Sequence, residues 1–347
     1  MIEGFDHVGA AGSAVGNVSG AGWGAGGSMQ SGSSLITSRW GPLAGRAVYK
    51  VGQDNYIYKT LSTGYPEMWF GFALAGSNRV STAWVYIVNT ANAGCAYLAR
   101  NASGYIELRN AANTVVATST YNWDGNWHYV EMRVLANGAS GSAEVWIDGV
   151  QVIASTAGNY GAAGAGTYPA GIWFYNYDGG GGNWWTTYID DVYALDTGTG
   201  TRNGRLGECR VDTLWPTADG SHSGFTPTTA GTHFDEVDDP GFHDSDTTTV
   251  ASSVVGTRDS YAFGDLSISA GTIYGVGVKT VARKNDVGPR TMKHSIRQGG
   301  TTYDGAASHL LNASHTCYQT VWDQDPTAAN WTVATVNADE FGVKVEA

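Results

Sequence analysis

Trp173, Tyr175, Tyr177, Trp184 and Trp185 form the densest aromatic cluster of the chain, within Ile172-Trp173-Phe174-Tyr175-Asn176-Tyr177-Asp178, four glycines, Asn183 and Trp184-Trp185. Alternation along a strand sends Trp173, Tyr175 and Tyr177 to one face and Ile172, Phe174 and Asn176 to the other. Flat rings stack on the apolar faces of sugars, and Asn176, Asp178 and Asn183 supply hydrogen-bonding groups, so this composition suits glycan binding. The same residues also fit a core strand with a glycine-rich loop at a subunit contact, because interfaces are enriched in Trp and Tyr as well.

Cleaving a glycosidic bond requires two carboxylates roughly 5 to 10 Å apart. Glu144 and Asp148 share a strand face with Trp146, yet four residues at about 3.3 Å each set them about 13 Å apart. Asp148 is more simply the hairpin residue before Gly149. No nucleophile elbow, phosphate-cradling glycine motif or Ser/His/Asp order stands out. The eight histidines show no ligand pairing, and His128 is expected beneath a sheet with a hydrogen bond. No catalytic residue is assigned. The acidic run from Asp235 to Asp246 lacks the D-x-D-x-D-G spacing of a calcium loop and reads as a solvated loop or a face for a basic partner.

The elements that would carry these residues are short strands. Trp127 to Val134 alternates, with Val130, Met132 and Val134 on one side and Tyr129, Glu131 and Arg133 on the other. After a glycine-rich turn, Ala143, Val145 and Ile147 share one face and Glu144, Trp146 and Asp148 the other. Asp148-Gly149 then turns the chain into Val150 to Ile153, giving a three-stranded meander. Upstream, Arg46–Val51, Tyr56–Leu61, Thr82–Val88, Ala96–Ala99, Tyr105–Arg109 and Val115–Thr118 read as further strands. Trp69 to Leu74 is continuously apolar, as in a central strand buried on both faces. Residues 8–34, rich in Gly, Ala and Ser, read as a long surface loop or an arm lying on a neighbouring subunit.

With 347 residues, two domains are expected. The 13 Trp and 19 Tyr suffice for packed cores, while 49 Gly and 14% charged residues point to many turns and few long helices. The boundaries read as 1–198 for the first domain, 199–205 for a polar linker and 206–347 for a smaller β-rich domain. A net charge of −12 argues against a nucleic-acid partner. Cys95, Cys209 and Cys317 are odd in number and far apart, and are expected to be reduced packing residues. No apolar span is long enough for a membrane helix, so no membrane insertion is expected. The start of the chain carries no secretory pattern.

The wording W-H-Y-V-E-M-R-V, then E-V-W-I-D-G-V, then Tyr188-Ile189-Asp190-Asp191-Val192-Tyr193 resembles the concanavalin A-like jelly roll of laminin G and pentraxin type. The resemblance implies an all-β, concanavalin-like (laminin G-like) antiparallel β-sandwich followed by the smaller β-rich domain. It also makes Asp190 and Asp191 candidate calcium ligands, calcium being the one cofactor considered; the competing reading has one Asp capping a turn and the other facing water. The E-x-D-x-x-E run of the glucan-hydrolysing branch is absent. The second half, with L-G-E-C-R-V-D-T-L-W-P-T-A-D-G and F-D-E-V-D-D, resembles laminin-G-like proteins encoded by tailed bacteriophages. That implies a non-enzymatic structural protein of the virion, in the tail, a fibre or the capsid decoration. Other virion proteins, further copies of itself and a host-surface glycan would be its partners. The alternatives are a dedicated receptor-binding lectin and a polysaccharide depolymerase.

Overall fold

In the computed structural model, residues 2–3, 24–26, 29–31, 48–50, 55–76, 83–161, 164, 166–176, 187–198, 200–229, 231–239 and 243–347 are described. The chain divides into two compact units, the first reaching Val211 and the second running from Asp212 to Ala347.

The described strands of the first unit are β1 (Ile2–Glu3), β2 (Gly24–Gly26), β3 (Met29–Ser31), β4 (Val48–Lys50), β5 (Asn55–Thr60), β6 (Glu67–Gly76), β7 (Ala83–Asn89) and β8 (Gly94–Arg100). They continue with β9 (Tyr105–Arg109), β10 (Val115–Asn122), β11 (His128–Leu135), β12 (Gly141–Ile147), β13 (Val150–Gly158), β14 (Pro169–Asn176) and β15 (Thr187–Asp196). One sheet has the order β13-β12-β11-β6-β15-β4-β3, with β1 also pairing β15; the other has the order β10-β9-β8-β7-β14-β5-β2. All pairs are antiparallel, as in a jelly-roll sandwich.

Period-two patterning explains the core between the sheets. Met68, Phe70, Phe72 and Leu74 of β6 and Val130, Met132 and Val134 of β11 are buried from one side. Ile57, Val85, Ile87, Leu98, Leu108, Ile172 and Phe174 meet them from the other. Phe72 and Phe174 touch edge to face across the sandwich at 5.1 Å. The meander forms as its sequence requires, with Val130 opposite Ile147 and Met132 opposite Val145. Its hairpin has Asp148 at φ 50° and Gly149 at φ 79°, both left-handed as a tight two-residue turn demands.

Strand β6 is covered on its outer face too. Trp69 and Ala73 pack there with Tyr129 and Tyr193 against Leu206 and Cys209. The segment Arg205–Val211 is therefore a strap on the first unit, and the division between the units falls beyond the 199–205 linker. Cys95, Cys209 and Cys317 are not joined in disulfides.

The second unit holds β16 (Pro216–Ser223), β17 (Thr226–Pro227), β18 (Val250–Ala251), β19 (Arg258–Phe263), β20 (Val276–Ala282), β21 (Thr291–Gln298), β22 (Thr301–Asp304), β23 (His309–Leu310), β24 (Thr316–Trp322) and β25 (Glu340–Val345). Its main sheet runs β16-β19-β25-β21-β22, with β23 on β21; β17–β18 and β20–β24 form separate pairs. Val278, Ile296, Trp331, Val336 and Phe341 make its core. A short helix α1 (Val333–Ala338) starts at Thr332, which exchanges capping hydrogen bonds with Thr335.

Candidate glycan-contact surface

Strand β14 turns Ile172 and Phe174 into the core and leaves Trp173 and Tyr175 half-buried on the outer face, the split that alternation predicts. Trp173 lies opposite Tyr58 of β5 on one side and Tyr86 of β7 on the other. Tyr86 pairs with Tyr97 of β8, which pairs with Arg109 of β9. A single in-register row, Tyr58–Trp173–Tyr86–Tyr97–Arg109, thus crosses five strands. Tyr56 and Tyr175, also opposite each other, form a shorter row beside it. All seven side chains are half-buried.

The rings pack on one another. Trp173 stacks on Tyr56 at 4.9 Å and 10°, and lies 4.8 Å from Tyr58. Tyr86 meets Tyr97 at 4.9 Å and Tyr175 at 5.4 Å, both edge to face. Cross-strand aromatic pairs of this kind stabilise the sheet and keep the rings in fixed rotamers. Burial, with Tyr175 and Tyr97 alongside, pushes the Tyr86 phenol up to about 12, and burial raises Tyr97 as well. Both remain neutral hydroxyls able to donate and accept near neutral pH.

Two donors in the row lack partners. The buried indole Nε1 of Trp173 and Nε of Arg109 find no acceptor among the described residues. The other nitrogens of Arg109 reach Glu107 at 2.9 Å and Asn113 at 3.4 Å. The surface therefore offers apolar ring area and neutral phenols, a combination suited to a ligand with apolar faces and hydroxyl groups.

Of the residues picked from sequence, Trp173 and Tyr175 sit in this surface, and Asn176 ends β14 opposite Asn55. Tyr177, Asp178, Asn183, Trp184 and Trp185 lie outside the described residues. Tyr56, Tyr58, Tyr86 and Tyr97 escaped the sequence reading. Their signal is the alternation in Asn55-Tyr-Ile-Tyr and Trp84-Val-Tyr-Ile, which marks a face without saying which strands adjoin.

The carboxylates are otherwise engaged. Asp148 accepts from the Tyr129 amide at 2.8 Å and pairs with His128 at 2.6 Å, while Asp124 holds the other ring nitrogen at 2.8 Å. Hydrogen bonding to His128 holds Asp124 down at about 2. Glu144 is bound by Arg133 at 2.7 Å. Asp190 and Asp191, for which one solvent-facing side chain was a reading, are both buried, at 2% and 1% exposure. A bulge in β15 lies between Asp190 and Tyr193, and Asp191 has φ 51° there. Its carboxylate accepts the Val211 amide at 2.8 Å, and Asp190 accepts the Asp191 amide at 2.8 Å. Among the described residues, no group of three His, Cys, Asp or Glu is placed to hold a metal ion. The acidic run is not simply solvated either. Glu236 is 2% exposed and accepts from the Thr229 and Thr249 amides, and Arg283 forks onto Asp246 with two 2.9 Å bonds.

No family model matches the chain, and no curated protein matches it. Among solved structures, the alginate lyase Aly36B aligns with a TM-score of 0.38 and 12% identity over 56% of this chain and 96% of its own. The Chlorella virus alginate lyase vAL-1 gives 0.38 and 10% over 56% and 98%. The carbohydrate-binding module CBM66 from Bacillus subtilis gives 0.31 and 11% over 51% and 96%.

Proposed function

We propose that the first unit is a non-enzymatic carbohydrate-contacting sandwich whose ligand lies on the outer face of the β10-to-β2 sheet. The observation that carries this reading is the row Tyr58–Trp173–Tyr86–Tyr97–Arg109, brought into register from three separate parts of the chain and left half-exposed. Glycans supply both apolar ring faces and a dense set of acceptors. In this reading the carboxylates of the sandwich are structural, since Glu144, Asp148 and Asp191 hold a side chain, a turn and the strap.

As a whole, the chain is proposed as a structural component of a tailed-phage particle that presents this sandwich to a host surface and is joined by other virion proteins and further copies of itself. Its support is the wording of Leu206 to Gly220 and of Phe234 to Asp239.

The test is binding of the intact chain to immobilised bacterial and plant polysaccharides, alongside an assay for new reducing ends. Trp173→Ala should abolish binding, while Trp146→Ala, on the opposite sheet, leaves it unchanged; no reducing ends should appear. Equal binding by wild type and Trp173→Ala would refute the site, and release of reducing ends would refute the non-enzymatic role.

A further inference from the structure

Resting on that carbohydrate reading, we infer that the row holds an internal stretch of an extended, uncharged polysaccharide laid across the strands, with its last contact at Arg109. Its length, direction and charge lead to this ligand class.

The row runs perpendicular to the strands because each member is the direct cross-strand partner of the next. Five strands at about 4.8 Å spacing make it about 19 Å long. A single sugar ring covers only a fraction of that, so a terminal residue would leave most of the surface bare. An extended chain following the row would meet Tyr58, Trp173, Tyr86, Tyr97 and Arg109 in turn.

Charge selects among extended chains. Arg109, the cation of the row, is already neutralised by Glu107 at 2.9 Å. A polyanion would therefore gain little from it and would approach a chain of net charge −12. The groups of the row that remain for a ligand are its half-buried rings and the neutral Tyr86 and Tyr97 phenols. Hydroxyl and ring oxygens of a neutral glycan can meet those phenols without bringing a charge into a half-buried strip.

The experiment is calorimetric titration of the intact chain with size-graded oligosaccharides, from one to six units, of neutral glucan, mannan, xylan and galactan, and of anionic alginate and polygalacturonate. At least one neutral series should tighten by about tenfold or more between two and five units, roughly 1.4 kcal/mol, and exceed both anionic series. Tyr97→Ala and Arg109→Gln should remove that gain while leaving the weak binding of the short oligomers intact. Melting curves of both variants identify any loss that comes from misfolding, and Tyr97→Phe, which keeps the ring, serves as the milder substitution. Affinity that is flat with length, or highest for alginate or polygalacturonate, overturns the inference while the carbohydrate reading stands. Absence of binding across all series overturns that reading itself.

Discussion

Tyr97 lies over Gly94 so closely that a Cβ on the glycine would overlap the phenol oxygen and Cζ. The missing side chain lets the ring rest along its own strand and meet Tyr86 edge to face at 4.9 Å. Because the obstruction is the far end of a rotatable side chain, Gly94→Ala should turn the phenol away and leave the backbone in place. Stability should change by about 1 kcal/mol or less, whereas binding of long oligosaccharides should fall as far as in Tyr97→Ala. Parallel melting and titration of the two variants checks this; a Gly94→Ala protein that binds like wild type would show that the position of the ring is irrelevant.

The strap Arg205–Val211 is held by a buried acid. Glu131, 1% exposed, accepts from the Tyr193 hydroxyl at 2.7 Å, the Gly207 amide at 2.8 Å and Arg205 at 2.8 Å. Tyr193→Phe removes a donor to a buried carboxylate and should lower stability by about 2 kcal/mol. Glu131→Ala strands the groups that converge on it and should lower stability by about 3 to 5 kcal/mol. Urea unfolding followed by tryptophan fluorescence measures both, and a Tyr193→Phe midpoint equal to wild type would remove the strap's proposed anchor.

The bulge at Asp190–Asp191 places both carboxylates inside, with the Val211 amide on Asp191. Calcium or a chelator should therefore leave the melting temperature unchanged, and Asp191→Ala should loosen the strap. A calcium-dependent rise in melting temperature that Asp191→Ala abolishes would instead make this pair a metal site.

Acid should weaken the second unit through its histidines. His294, fully buried on β21, hydrogen-bonds Thr320 at 2.8 Å and Thr280 at 3.1 Å, and His309 shares Thr320 at 2.8 Å. Burial, reinforced by His309, pushes His294 from 6.5 down to about 3, and burial lowers His309 too. A base whose folded value lies below its unfolded one contributes fully above about pH 6.5. That contribution falls by up to about 1.4 kcal/mol per pH unit as pH drops toward 3. Asp339 works in the opposite direction. Desolvation raises it to about 6, so from about pH 6 down to about pH 4 its protonation favours the fold and offsets part of the loss. The urea midpoint of the second unit should therefore decline below pH 6.5, and more steeply in Asp339→Asn. A flat profile in both proteins would contradict this assignment of the histidines.

Legibility followed sequence distance. The β11–β12–β13 meander is local, so its alternation and the Asp148-Gly149 turn were enough to place it. The apolar run in β6 correctly signalled burial on both faces, although the cover on its outer face, Leu206 and Cys209, comes from a segment next to what read as a linker. Tyr86 and Tyr97 lie on neighbouring strands of a local hairpin, but the whole row could not be read in advance, because the adjacency of Tyr58 and Trp173 to them depends on the jelly-roll crossovers. The reading that one of Asp190 and Asp191 faces water fails for a local reason: strict period two puts one of them outside, and a bulge abolishes that period.

Hydroxyl-radical footprinting with and without the tightest-binding neutral oligosaccharide tests the central claim most directly, because each aromatic ring reports its own exposure. Tyr58, Tyr86, Tyr97 and Trp173 should be protected together, with Trp146 on the opposite sheet unaffected. Protection confined to other parts of the chain, with the row as reactive as in the free protein, would contradict it.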